Sequence, residues 1–236
     1  MRDTKEKIII IIYGLFKCCC RMFCYTVFRM RVQGLENIPR DGSFLLLSNH
    51  QSFLDPLFVG VPTYRRVHFV ARGSLFFNKY FGVILKCCLV IPIKRGQADT
   101  AAIKEILRTL KNGHGVGIFP EATRTHDGKI VDVKPGFGLL VKKSKAPVIP
   151  VVIEGAFESW PRTRKFFLPG DIMVYYGKPI THEETENMDS DTFAVLLTAR
   201  LRKIHNECRK TMGKEPFDYP LLPLQQPAQT GVTEQL

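Results

Sequence analysis

A chain of 236 residues with a net charge of +12 is long enough for one domain with a full core. With 45% hydrophobic and 24% charged residues it is not disordered in composition, and its charge favours polyanionic partners: nucleic acid, an anionic membrane surface or phosphorylated small molecules. The 7 cysteines, Cys18, Cys19, Cys20, Cys24, Cys87, Cys88 and Cys208, fit neither a disulfide framework nor a zinc site and point to a reducing compartment.

The first segment, residues 8–30, is rich in Ile, Phe, Cys and Tyr but is interrupted by Lys17, Arg21 and Arg29. Its longest uncharged piece, residues 8–16, would rise about 14 Å as a helix against a bilayer core of about 30 Å. It reads as a helix lying in a membrane interface with Lys17 and Arg21, four apart on one face, turned to headgroups. A helix packed on the protein's own core and a tilted span are the alternatives. No small-X-small cleavage site marks a signal peptide. Cys18 to Cys20 read as small apolar filler, with lipidation beside an apolar segment as the other reading.

Residues 32–39 form a turn punctuated by Gly34 and Pro39. Phe44-Leu45-Leu46-Leu47 is then a short buried strand, and it delivers the polar stretch Ser48-Asn49-His50-Gln51-Ser52-Phe53-Leu54-Asp55-Pro56 to the sheet end, where open α/β sheets keep their chemistry. Five residues along an α-helix turn two side chains about 140° apart, so His50 and Asp55 meet only if His50 precedes a helix that Asp55 begins. Pro56 supports that arrangement, because proline suits the first helical position. Asp55 then either caps the helix or holds one nitrogen of His50 so that the other can accept a proton.

Residues 56–61 are expected to be a short helix, residues 67–71 a second strand carrying a structural His68, and residues 74–85 an apolar helix. Leu89-Val90-Ile91-Pro92-Ile93 forms a strand ending in Lys94-Arg95. Ile103, Ile106, Leu107 and Leu110 recur at the helical interval until Gly113 stops that helix. Gly115-Val116-Gly117-Ile118-Phe119 is the next strand, delivering Pro120-Glu121-Ala122-Thr123-Arg124 to the same edge, and the strand, helix, strand order implies a parallel pair. Lys134 reads as a solvated turn charge before a helix at 139–144 and a strand at 148–153. Cations alternate with aromatics over residues 160–168, a pattern that can bind a membrane interface or stack on bases. A strand at 172–176 precedes a closing amphipathic helix near 192–208, and residues 215–236 are expected to be a disordered tail. The expected fold is therefore α/β, with a mixed, largely parallel central sheet flanked by helices (residues 32–214) and an N-terminal membrane-interface helical segment (residues 1–31).

Three strand ends thus offer His50 with Asp55, Lys94 with Arg95, and Glu121 with Arg124. An imidazole held by a carboxylate can take a proton from an alcohol, and guanidinium groups can hold a phosphate so that an attached hydroxyl lies beside that base. This division of labour suits acyl transfer from a thioester to an alcohol without a covalent enzyme intermediate.

The same residues resemble the glycerolipid acyltransferases, best known as 1-acyl-glycerol-3-phosphate acyltransferases. Asn49-His50-Gln51-Ser52-Phe53-Leu54-Asp55 is similar to their His-X4-Asp block. Val90-Ile91-Pro92-Ile93-Lys94-Arg95 resembles the second block, with Lys94 for the usual Asp. Phe119-Pro120-Glu121-Ala122-Thr123-Arg124 resembles the third, with Ala122 for the usual Gly, and Val148-Ile149-Pro150-Val151 resembles the fourth. Alanine does not readily adopt positive φ, so either this turn does not need it or the pocket differs.

The resemblance implies His50 as general base, Asp55 as its orienter, and Lys94, Arg95, Glu121, Thr123 and Arg124 as the acceptor site, with Glu121 structural as the alternative. It implies a lysophospholipid acceptor and an acyl thioester donor, acyl-CoA or acyl-carrier protein, and neither cofactor nor metal. The chain is expected on the cytoplasmic face of an anionic membrane, without nucleic acid. Other readings are acylation of a different lysolipid such as a lyso-ornithine lipid, a thioesterase using Cys87 or Cys88, or a basic nucleic-acid-binding protein.

Overall fold

The computed structural model describes residues 2–77, 82, 85, 89–93 and 99–222, with side chains from residue 14 onward. Lys94, Arg95, Cys87, Cys88 and half of the expected helix at 74–85 lie outside the described residues.

Seven strands form the sheet, in the order β1-β7-β6-β2-β5-β3-β4. They are β1 (Arg31–Gln33), β2 (Phe44–Ser48), β3 (Val67–Arg72), β4 (Ile91–Ile93), β5 (Gly115–Ile118), β6 (Val148–Glu154) and β7 (Met173–Tyr176). Strands β6, β2, β5, β3 and β4 run parallel, while β7 pairs antiparallel with β6 and takes β1 alongside it in its own direction. The sheet is therefore mixed and largely parallel, as expected from the alternation of strands with helices. Strand β1 lies where a turn was expected: three residues offer no legible alternation, and pairing with β7 makes them a strand.

Period-two alternation sorts the central strand onto two cores. Leu45 and Leu47 join Val116, Ile118, Val148 and Val152 beneath α3 (Thr100–Lys111), α4 (Gly136–Ser144) and α7 (Ser190–Thr211). On the opposite face Phe44 and Leu46 pack with Phe69, Ile149 and Val151 beneath α2 (Asp55–Gly60) and the last turns of α1 (Arg2–Val27). Strand β5 carries Gly115 and Gly117 because a β-carbon there would lie 2.2 Å from the Phe44 ring and 2.5 Å from the Phe69 ring. Asp99 caps α3 by accepting from the Ala102 amide, and Ile106 and Leu110 face the core as expected. Ile103, expected on that buried face, is exposed: α3 lies toward one side of the sheet and buries Ala102 and Thr109 instead. Two short helices, α5 (Ala156–Ser159) and α6 (His182–Thr185), join the remaining elements, the latter closed by a reciprocal Thr181–Glu184 capping box.

The end of α1 is docked on the core through buried Cys24 and the residue that follows the helix, Phe28. Lys17, expected to face headgroups, instead donates to the Thr63 carbonyl at 2.6 Å, and burial, with Arg21 and Arg66 nearby, lowers its pKa. A carbonyl left over in the turn after α2 outcompetes solvent for this cation. Among the described residues no helix is long and apolar enough to cross a membrane. Within the segment expected to be a loose tail, Phe217 and Tyr219 pack on His205 and Leu222 is buried, while residues 223–236 lie outside the described residues.

Candidate active site

His50 follows β2 at the edge where the five parallel strands end, and its Nδ1 lies 2.6 Å from Asp55 Oδ2. That same oxygen accepts the amides of Gln51 at 2.6 Å and Ser52 at 2.8 Å. An oxygen already accepting two N–H groups acts as an acceptor toward the ring as well, so Nδ1 carries a proton, and in the neutral ring the lone pair is on Nε2. Asp55 is fully buried, whereas the His50 side chain is 21% exposed. Asp55 is the first residue of α2 and Leu54 occupies the cap position, so its carboxylate closes the turn that carries His50 rather than capping the helix. The backbone of that turn is anchored too: Asn49 exchanges two hydrogen bonds with Ile153 of β6, and Gln51 bonds the Gly128 carbonyl and the Phe157 amide.

The loop after β5 wraps this turn. The Thr125 amide donates to the His50 carbonyl at 2.8 Å, and the Phe119 ring stacks on the imidazole with centroids 4.3 Å apart. The Arg124 guanidinium lies 3.5 Å above the ring of Phe53, a residue of the His50–Asp55 turn. Burial and the neighbouring charge of Arg162, with a smaller effect from Arg72, lower the Arg124 pKa against an opposing pull from Asp55.

Glu121 is almost fully buried, and its Oε1 accepts from the His50 amide at 3.3 Å. Burial pushes its pKa well above the usual carboxylate range. Its carboxyl therefore holds the His50 backbone, while Thr123 is exposed beside Arg124. Three polar atoms here, Asp55 Oδ1, Glu121 Oε2 and Arg124 Nη1, are buried without a hydrogen-bond partner, a concentration typical of sites built for something other than stability. Ala122 answers the question its sequence raised: its φ is +60°, so the turn requires the left-handed conformation that glycine adopts at less cost.

His68 lies in β3 with its ring 5.4 Å from that of His114, and Lys134 is exposed in its turn. The buried thiols of Cys24 and Cys208 are pushed up to about 12 by burial and nearby groups, which keeps them protonated and unreactive. Sequence reasoning missed Arg72 and Arg162. Arg72 ends an apolar strand, as Arg95 was expected to, so the same signal was present; Arg162 lies in a loop distant in sequence, where its Nη1 donates to His126 Nε2 at 2.8 Å and its charge acts on Arg124.

The sequence profile of the acyltransferase family matches residues 29–154, the span that holds the His50–Asp55 turn and the Glu121–Arg124 loop. The chain belongs to the acyltransferase family. It is 29% identical to the 1-acyl-sn-glycerol-3-phosphate acyltransferase of Bacillus subtilis over 74% of its own length and 85% of that enzyme. It is 33% identical to the Pseudomonas aeruginosa enzyme of the same name over 67% of its length and 61% of that protein. It spans only about half of a chloroplastic relative from Brassica napus, with 46% covered at 31% identity. Among solved structures, the 1-acyl-sn-glycerophosphate (LPA) acyltransferase PlsC from Thermotoga maritima superposes with a TM-score of 0.73 at 25% identity, covering 88% of this chain and 84% of that one. In this acyltransferase the His50–Asp55 turn and the Glu121–Arg124 loop thus lie within the matched region and meet across two parallel strands.

Proposed function

We propose that this acyltransferase moves a fatty acyl group from an acyl thioester to the free hydroxyl of a lysophospholipid at a membrane surface, with 1-acyl-glycerol-3-phosphate as acceptor and phosphatidic acid as product. The names of its relatives support the acceptor, and one observation carries the mechanism: Asp55 Oδ2 is saturated by two amides and the His50 Nδ1–H, which leaves Nε2 as the free base. Nε2 takes the hydroxyl proton as the oxygen attacks the thioester carbonyl. The C–O bond forms, the C–S bond breaks, and the departing thiolate receives the proton back from His50. Arg124 with Arg72 and Arg162 holds the acceptor's phosphate; Lys94 and Arg95 join them on sequence grounds. Glu121 acts from behind, by fixing the His50 backbone. Acyl-CoA and acyl-carrier protein both fit as donors, and the cytoplasmic membrane face suits either.

A positioned base is worth about 10² to 10⁴ in rate. Purified His50→Ala should lose transfer by that factor with an unchanged circular dichroism spectrum, in a mass-spectrometric assay offering mixed lysolipids and both donors. A rate near wild type would remove His50 from the mechanism, and acylation of an uncharged lysolipid in preference to a phosphorylated one would remove the acceptor assignment.

A further inference from the structure

The chain's single tryptophan, Trp160, sits in a loop that is closed on itself. The Leu168 amide donates to the Ser159 carbonyl at 2.9 Å, tying the ends together, and the indole N–H donates to the Arg164 carbonyl at 3.1 Å across the middle. Arg164 in turn donates to the Glu158 carbonyl at 2.8 Å, so the loop is braced from within. A loop built this rigidly nonetheless turns apolar groups outward, with Phe166 70% and Leu168 52% exposed.

These groups extend an aromatic path that starts at the catalytic turn. The Phe53 ring, which carries Arg124 on one side, lies 5.3 Å from Trp160; Trp160 lies 5.8 Å from Phe167, and Phe167 lies 5.6 Å from Phe23 of α1. The turns of α1 around Phe23 expose Met22 and Tyr25. A continuous apolar strip therefore runs from the His50 turn to the last part of α1, interleaved with Arg162, Arg164 and Lys165. Soluble surfaces rarely carry such strips without an occupant. Aromatic rings among Lys and Arg match the headgroup level of an anionic bilayer, where rings sit at the boundary and cations meet lipid phosphates.

We infer that the 159–168 loop is a membrane-inserting element that docks on an anionic lipid surface together with the end of α1, setting the mouth of the His50 site at headgroup depth. This deepens and rests on the lysolipid acyltransferase reading. An amphiphilic acceptor then reaches Arg124 along the Phe53–Trp160 edge by sliding within the interface, without its acyl chain passing through water.

Trp160 makes the test direct. With the full chain on phosphatidylcholine vesicles containing phosphatidylglycerol, the emission should shift to the blue and be quenched by brominated acyl chains, far more than on phosphatidylcholine alone. Lys165→Ala should weaken binding to the anionic vesicles about fivefold, and Phe166→Ser with Leu168→Ser about tenfold or more, both with unchanged transfer to detergent-dispersed lysolipid. Absence of vesicle binding, sedimentation with vesicles while Trp160 stays unquenched, or unaltered binding of the double variant would each overturn the inference. Failure of the acyltransferase reading is separately visible, as quenching without acyl transfer in detergent.

Discussion

At the residue scale, the loop after β5 carries a cost that a glycine at residue 122 would avoid. Ala122 is held at φ +60°, where an L-residue pays about 1–2 kcal/mol for the contact between Cβ and the carbonyl oxygen. Glycine escapes that contact but gives up about 0.5–1 kcal/mol of extra unfolded-state entropy. The difference favours glycine, so Ala122→Gly should stabilise the protein by about 0.5–1 kcal/mol, raising Tm by roughly 2 °C for a chain of this size. Calorimetry would check it, and a lowered Tm would mean that the methyl group makes contacts worth more than the strain. The alanine therefore leaves the turn's shape unaltered and changes only what that shape costs.

At the scale of elements, legibility followed the range of the forces involved. Strand β2 and the start of α2 were readable because a run of bulky residues and a proline act locally, and helical geometry allowed the His50–Asp55 contact while leaving helix capping open as the alternative. Strand β1, the Lys17 bond to Thr63 and the exposure of Ile103 were not readable, since each depends on a partner distant in sequence or on how far a helix reaches across the sheet. Of the candidate site, His50, Asp55 and the Arg124 loop were legible as blocks. The stacking of Arg124 on Phe53 was not, nor the turning of Glu121 toward the His50 amide, because nothing in the sequence says which way a side chain points at a loop. The glycines of β5 are intermediate: their place in a strand was legible, their reason was not. A methyl at Gly115 meets the Phe44 ring at 2.2 Å, and overpacking of that kind costs about 1–3 kcal/mol. Gly115→Ala should lose that much in urea denaturation, and Phe44→Leu should restore part of it in the double variant; purely additive losses would show that the ring is not the obstacle.

At the scale of the whole molecule, the C-terminal segment ties the last helix to the site. The Ile130 amide donates to Tyr219 Oη at 3.0 Å, the Tyr219 hydroxyl lies 2.7 Å from His205 Nδ1, and His205 Nε2 lies 2.6 Å from Glu154 Oε2. Tyr219 Oη accepts from the amide, and His205 joins it to Glu154, toward which its Nε2–H donates. The second oxygen of Glu154 accepts from Arg209 at 2.9 Å and Lys214 at 2.7 Å. Burial alone would raise the Glu154 pKa, but the bonds and charges of His205 and Lys214 overcome it and bring it from 4.5 to about 2. A carboxylate whose folded pKa is depressed contributes stability that is complete above its unfolded value and is lost as pH falls through the folded one. The window is therefore about pH 5 down to about 2, and the stability at stake is about 3 kcal/mol. Wild-type Tm should fall steeply across that window. Glu154→Gln should start lower at pH 7 and stay flatter through it, and since the chain of bonds ends on Ile130, just past the acceptor loop, the variant should also raise the acceptor's KM more than it lowers kcat. Thermal scans from pH 7 to pH 2 decide the matter: an acid profile identical in the two proteins would place the origin of acid lability elsewhere and leave the C-terminal segment as mere packing.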